Sequence, residues 1–158
     1  MEKTPHVNYL ELMKVIKSRI DSVEVLSKSN MDAYSKSEMA AFHGRKIIEA
    51  IAFGCLNAIK NGLKSIPKEA IGQYNAEKIF KQLKRKGIEV SPSPSLMRVA
   101  TDKERAELNV TATIDGLPER RITNEELIKK YQRMHNWLHE LNPYTKDEQE
   151  VFYSKNQG

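Results

Sequence analysis

Between Ala40 and Ile59 the chain carries Ala41, Phe42, Ile47, Ile48, Ile51, Ala52, Phe53, Cys55 and Leu56, with too few polar residues between them to leave a broad wet face on a helix. A helix that is apolar nearly all round has to be wrapped by other elements, so this stretch predicts the most buried helix of the fold. Just before it, Ser35-Lys-Ser-Glu38 has the capping-box pattern, in which the serine hydroxyl and the glutamate side chain each satisfy a free amide at a helix start. Asn61-Gly62 supplies the stop. Arg45 and Glu49 fall four apart on this helix, a spacing that suits an ion pair at the edge of the core or a contact with a neighbouring helix.

The flanking segments supply the wrapping. Leu12, Met13, Ile16, Ile20, Val23 and Leu26 recur mostly three and four apart within residues 8 to 28, which predicts an amphipathic helix with one buried face. Ser29-Asn30 interrupts it. Ser65-Ile-Pro67 is expected to open a third helix, with proline where its missing amide costs nothing. Its apolar stripe is Ala76, Ile79, Phe80 and Leu83, and Gly87 sits at the position that ends helices. Lys81, Lys84, Arg85 and Lys86 suit the negative end of the helix dipole, and they would also form a phosphate-binding patch.

Residues 88 to 95 form a linker, because each proline drives the residue before it to an extended conformation. Leu96–Thr101 and Glu107–Ile114 carry several β-branched residues and read as two short strands joined through Asp102-Lys-Glu-Arg105. A lone hairpin is marginal in water, so this one is expected to pack on the helices or pair with another chain. Thr123-Asn-Glu-Glu126 is a further capping box and opens the last helix. The buried stripe of that helix is Leu127, Tyr131, Met134, Leu138 and Leu141, and Asn142-Pro143 ends it. The expected fold is mainly α: a four-helix bundle with a small β-hairpin inserted before the last helix, in one domain of residues 1 to 158, with the insertion at about 96–115 and a tail at 145–158.

The 158 residues suffice for one domain, which at this size buries roughly 70% of its unfolded surface. Lysine and arginine outnumber aspartate and glutamate by 26 to 21, and the sequence pI is near 9.2. That excess permits an anionic partner such as RNA without demanding one, since the charges are interspersed. Cys55 is the only cysteine, so an internal disulfide is excluded and a reducing compartment fits. The first residues carry no apolar leader and no stretch approaches ~20 uncharged residues. A cytoplasmic chain with no membrane span is expected. No nucleotide-binding glycine loop and no serine or cysteine nucleophile site stands out.

Chemistry concentrates in the run Tyr131 to Tyr144. Arg133 and His139 lie six residues apart, about 120° around a helix, so they flank one edge with Asn136 between them. A neutral histidine moves protons near pH 7, and an arginine holds a phosphate and stabilises charge developing on it. A metal-independent ribonuclease needs those parts. The same residues are also ordinary at a surface and a helix end. His135 and His139, four apart on one face, suit a shared metal ion. No third ligand accompanies them, and neither a metal nor a cofactor is expected. Trp137 reads either as an exposed interface anchor or as a core residue under Phe152-Tyr153.

Phe42-His-Gly-Arg-Lys-Ile-Ile-Glu49 on the long second helix, followed by Arg133-x5-His139 on the last, resembles the HEPN superfamily. These are small helical-bundle domains, many of them ribonucleases of toxin, antiphage and RNA-processing systems. The run from Tyr131 to Tyr144, with Leu138-His139 before Asn142-Pro143, is similar to the final helix of bacterial proteins of this kind. The resemblance covers the helices and not the 96–115 segment. It implies that His139 acts as general acid and base and that Arg133 holds the scissile phosphate; Asn136 is added from helix geometry. The expectation is a homodimer that binds or cleaves RNA in a bacterial defence or toxin-type system. The alternative is a non-catalytic helical module for dimerisation or for a protein partner.

Overall fold

The structure, a computed structural model, describes residues 4–62, 66–88, 94–117 and 121–139. Among these the elements are α1 (Pro5–Ser27), α2 (Ala33–Asn61), a 3-10 turn (Lys68–Ala70), α3 (Ala76–Arg85), β1 (Ser95–Val99), α4 (Asp102–Leu108), β2 (Ala112–Gly116) and α5 (Asn124–Trp137). The protein is mainly helical with one small antiparallel sheet. It divides into two compact units, one of Met1–Val90 with Asn124–Gly158 and one of Ser91–Thr123. None of the helices among the described residues is long and apolar enough to cross a membrane.

In the first unit α2 touches α1, α3 and α5, and α3 also touches α5. The helix expected to be most buried is therefore the one the others share. Its buried side chains include Ala41, Ile48, Ala52, Cys55 and Ile59, against which α3 sets Ile79, Phe80 and Leu83, each at most 1% exposed. Helix α5 runs antiparallel along α2: Tyr131 meets Glu49, His135 meets Arg45, and Trp137 shares a cluster with Ala41. One turn along α5, from Tyr131 to His135, is matched by one turn back along α2, from Glu49 to Arg45. Gly44 makes the close approach feasible, since a Cβ there would lie 2.6 Å from Met134 Cε.

Helix ends differ from expectation where a neighbouring residue caps better. Helix α2 starts at Ala33, with the Asp32 side chain accepting the Ser35 amide at 2.9 Å, so the Ser35–Glu38 capping box does not form the start. Aspartate ranks with serine as a cap. The helix expected to open at Pro67 reaches only one 3-10 turn. Gly72 at φ 74° breaks the path, and Asn75 caps α3 instead. At the far end the Gly87 expectation holds: with Gly87 at φ 64°, Ile88 N–H donates to Leu83 C=O at 3.0 Å and Gly87 N–H to Lys84 C=O at 3.0 Å, the Schellman arrangement. Helix α5 ends at Trp137 rather than continuing to Leu141; Leu141 and Asn142-Pro143 lie outside the described residues.

The second unit is not a simple hairpin. Strands β1 and β2 pair with Met97 opposite Ile114 and Val99 opposite Ala112, but α4 intervenes, and Glu107 and Leu108, expected in the second strand, belong to it. Thr101 and Glu104 cap α4 reciprocally, the same pattern recognised elsewhere in the chain. Arg98 holds the unit together, donating to both Glu104 oxygens at 2.8 and 2.9 Å and to Asp115 at 2.6 Å. The Arg98 guanidinium holds Glu104 well below the usual carboxylate range.

Phe80 lies at the centre of the first unit's core. Phe80→Ala is expected to lower the unfolding free energy by about 3–5 kcal/mol, read from urea unfolding. A loss below about 1 kcal/mol would place Phe80 outside the cooperative core.

Candidate functional site

The site grows from Glu49. Its carboxylate is almost wholly buried, with the residue 7% exposed. Oε1 accepts from Arg45 Nε at 3.2 Å and from the Tyr131 hydroxyl at 3.1 Å, and Oε2 accepts from Lys46 Nζ at 2.7 Å. Burial alone would raise its pKa. Hydrogen bonds from Lys46, Arg45 and Tyr131 more than reverse that and hold it below the ordinary value.

Arg45 extends the arrangement outward. Its guanidinium lies over the Tyr131 ring, 5.1 Å from the centroid, and Nη1 is 2.7 Å from His135 Nδ1. His135 Nε2 is in turn 2.9 Å from His139 Nε2, with the rings edge to face. Glu49, Arg45, His135 and His139 thus form one continuous chain from the core to an exposed imidazole.

The chain has a direction. A guanidinium only donates, so His135 Nδ1 accepts from Arg45. Neutral His135 then carries its proton on Nε2 and donates it to His139 Nε2, which leaves the proton of neutral His139 on Nδ1. Burial lowers the pKa of His135, and the His139 and Arg45 charges lower it further, against an opposing pull from Glu77. Glu77 itself is held low, chiefly by Lys81 and then by Gln132.

The residues singled out in sequence fall on two sides of α5. His139 is exposed, just past the helix end, and joins His135 and Arg45. Arg133 is exposed on the other flank, where it lines a groove of about 720 Å³ with Ile20 and Val23 of α1, Ala40 and Ile47 of α2, and Met134. Asn136 is exposed as well. Arg133 projects from α5 toward the groove, whereas His139 follows the helix end at Trp137 and meets His135. Sequence spacing raised Arg45 as an ion-pair partner of Glu49, which it is, or as a contact with a neighbouring helix, without naming His135 as that contact. It raised His135 only as a metal ligand. Lys46 and the Tyr131 hydroxyl were missed; a tyrosine in a buried stripe needs a partner for its O–H, and that was the available signal.

Trp137 is buried at 6% exposure, within 6.0 Å of the Tyr34 ring, so it is not an exposed anchor; Phe152-Tyr153 lie outside the described residues. Lys81 pairs with Glu77 and Lys84 with Glu125, engaged on the protein's own carboxylates. Burial pushes the Cys55 thiol up to about 11, far from a reactive thiolate. Among the described residues no group of three or more histidine, cysteine or acidic side chains could hold a metal ion. A second histidine also faces an arginine: Arg19 Nη1 is 3.3 Å from His43 Nδ1. Burial, then the Arg19 charge, lowers the His43 pKa.

Beside Arg45 lies a smaller cavity of about 360 Å³, lined by Arg45, Lys46, Phe53, Gln73, Tyr74 and Asn75 as well as Glu49 and Tyr131. No protein-family model, curated protein or solved structure matches the chain.

His135 and His43 both bind a proton less readily in the folded chain than at the ordinary value of 6.5. Below that value the unfolded state takes up more protons, so their contribution is complete above it and is lost as pH falls toward their folded values. Tm is therefore expected to drop as pH falls from about 7.5 to about 5.5, above the range where carboxylates titrate. The slope should be shallower in His135→Asn. A flat or rising Tm across that range would contradict the arrangement.

Proposed function

We propose that this chain is a HEPN-like four-helix-bundle protein that binds RNA and cleaves it without a metal ion, as a cytoplasmic homodimer of a bacterial defence or toxin-type system. The observation that carries the reading is the chain Glu49–Arg45–His135–His139, which runs through a guanidinium to an exposed imidazole. The superfamily resemblance implies that His139 serves as acid and base; in this reading it is the base, and solvent protonates the leaving group. Arg45 takes the role of phosphate cation, because it contacts His135 directly, with Lys46 lining the same cavity beside it.

Arg45 also couples substrate to base. An incoming phosphate competes with His135 for the guanidinium. Once Arg45 turns to the phosphate, His135 Nδ1 takes a proton from solvent, the shared proton crosses to His139 Nε2, and His139 Nδ1 gives its proton up to solvent and is left with a lone pair. There it takes the 2′-hydroxyl proton as O2′ attacks phosphorus. The P–O5′ bond breaks, and the leaving oxygen takes a proton from solvent, giving a 2′,3′-cyclic phosphate and a 5′-hydroxyl.

A second reading, a non-catalytic dimerisation or protein-binding module, is favoured by the apolar groove next to Arg133 and by α1 residues such as Leu10, Val15 and Val25, each at least 44% exposed. The deciding experiment incubates wild type, His139→Ala, Arg45→Ala and Arg133→Ala with a mixed RNA pool in EDTA. Wild type is expected to leave cyclic phosphate ends. His139→Ala should be slower by at least about 100-fold, the scale of a lost acid–base group, Arg45→Ala should also be impaired, and Arg133→Ala should stay close to wild type. Cleavage unchanged by His139→Ala would overturn the enzyme reading, and loss on Arg133→Ala with Arg45→Ala intact would return the phosphate role to Arg133.

A further inference from the structure

We infer that the cavity beside Arg45 is a nucleobase pocket that seats the base next to the scissile phosphate and selects bases presenting keto oxygens, uracil and guanine, over adenine. The inference rests on the RNA reading above and adds the substrate class.

Two amides set the selectivity. Gln73 Oε1 accepts the backbone N–H of Asn75 at 3.0 Å, and Asn75 Oδ1 accepts the backbone N–H of Lys78 at 3.1 Å as the cap of α3. A backbone N–H only donates, so the oxygen end of each side-chain amide is fixed by the protein's own backbone. What remains of each for the cavity is its NH₂ group. Glu49, the carboxylate among the described lining residues, has its oxygens engaged by Arg45, Lys46 and Tyr131. Gln73, Asn75, Arg45 and Lys46 therefore offer donors to the cavity, alongside the Tyr74 hydroxyl, which can donate or accept.

The rest of the lining suits a flat ring. Tyr74 is 80% exposed, an unusual degree for a tyrosine that edges a cavity, and Phe53 adds a second aromatic surface. Bases stack on such side chains with ~1–3 kcal/mol each, whatever their identity. The volume of about 360 Å³ lies at the small end of the ~300–1,000 Å³ typical of ligand sites, as one nucleotide unit requires. Uracil brings O2 and O4 to these donors, and guanine brings O6 and N7. Adenine brings N7 and N1 as acceptors, but where guanine and uracil present a keto oxygen it sets its exocyclic amine, a donor meeting donors. Arg45 is common to the cavity and the histidine pair, so a base seated here places its phosphate within the reach of the cation that controls His135.

The test measures binding of fluorescein-labelled, uncleavable 2′-O-methyl oligo(U) and oligo(A) by anisotropy at one fixed salt concentration. Wild type should bind oligo(U) roughly tenfold more tightly, the scale of one or two hydrogen bonds. Gln73→Glu and Asn75→Asp each keep the oxygen that the backbone amide needs, and aspartate caps as well as asparagine, so the fold is retained. Both variants weaken all RNA through added charge, and both should bring the oligo(U) to oligo(A) ratio close to one. Tyr74→Ala should weaken both oligonucleotides roughly tenfold and leave the ratio intact. A wild-type ratio near one, or a ratio unchanged in both amide variants while RNA still binds, would overturn the pocket and leave the ribonuclease reading standing. Failure of wild type to bind either oligonucleotide would overturn both.

Discussion

A buried carboxylate fixes the register of the helices. Glu49 is withdrawn from water on α2, and an uncompensated ion there would cost several kcal/mol. Arg45 and Lys46 come from its own helix, but the hydroxyl that completes its hydrogen bonding belongs to Tyr131 on α5. Once Tyr131 is seated on Glu49, the antiparallel course of the two helices sets His135, one turn further along α5, against Arg45, one turn back along α2. Gly44 leaves room for Met134, and Trp137 closes on Ala41. The pairing that stabilises the helix contact is the same pairing that aims a histidine pair at solvent, so structure and chemistry depend on one interaction.

Much of the scaffold could be read from the chain because it rests on local rules. The apolar face of α2, the Gly87 stop of α3 and the Asn61-Gly62 end of α2 each follow from residues within a turn or two of the feature they predict. The misjudged starts have different causes: Asp32 caps α2 three residues before Ser35, and Gly72 at φ 74° interrupts the path between Pro67 and α3, which Asn75 then caps. Helix α4 was legible too, since Thr101-Asp-Lys-Glu104 has the same spacing as the other capping boxes. The β-branched flanks drew attention to a hairpin instead.

The candidate site was only half legible, for a physical reason. Arg133 and His139 are close in sequence, and helical spacing alone leaves open which edge of α5 each will occupy after docking. Arg45 and His135 are 90 residues apart, and their meeting is a consequence of packing that no periodicity encodes. The His135–His139 spacing was visible, yet its setting changes once a guanidinium takes one ring nitrogen: the pair becomes the outer part of a hydrogen-bonded chain from Arg45. The second unit shows the opposite economy. With Met97, Val99 and Ile114 each about 70% exposed, it relies on the polar framework of Arg98, Glu104 and Asp115 for its geometry.

The proton positions on His135 and His139 are the most direct test of the directed chain. In protein labelled with ¹⁵N-histidine at about pH 7.5, ring nitrogen shifts report the tautomer of each imidazole. The geometry predicts that His135 carries its proton on Nε2 and His139 on Nδ1, and that Arg45→Ala releases both to the mixture of tautomers found in free histidine. A proton on His135 Nδ1 in the wild-type protein, or tautomers indifferent to Arg45→Ala, would contradict it.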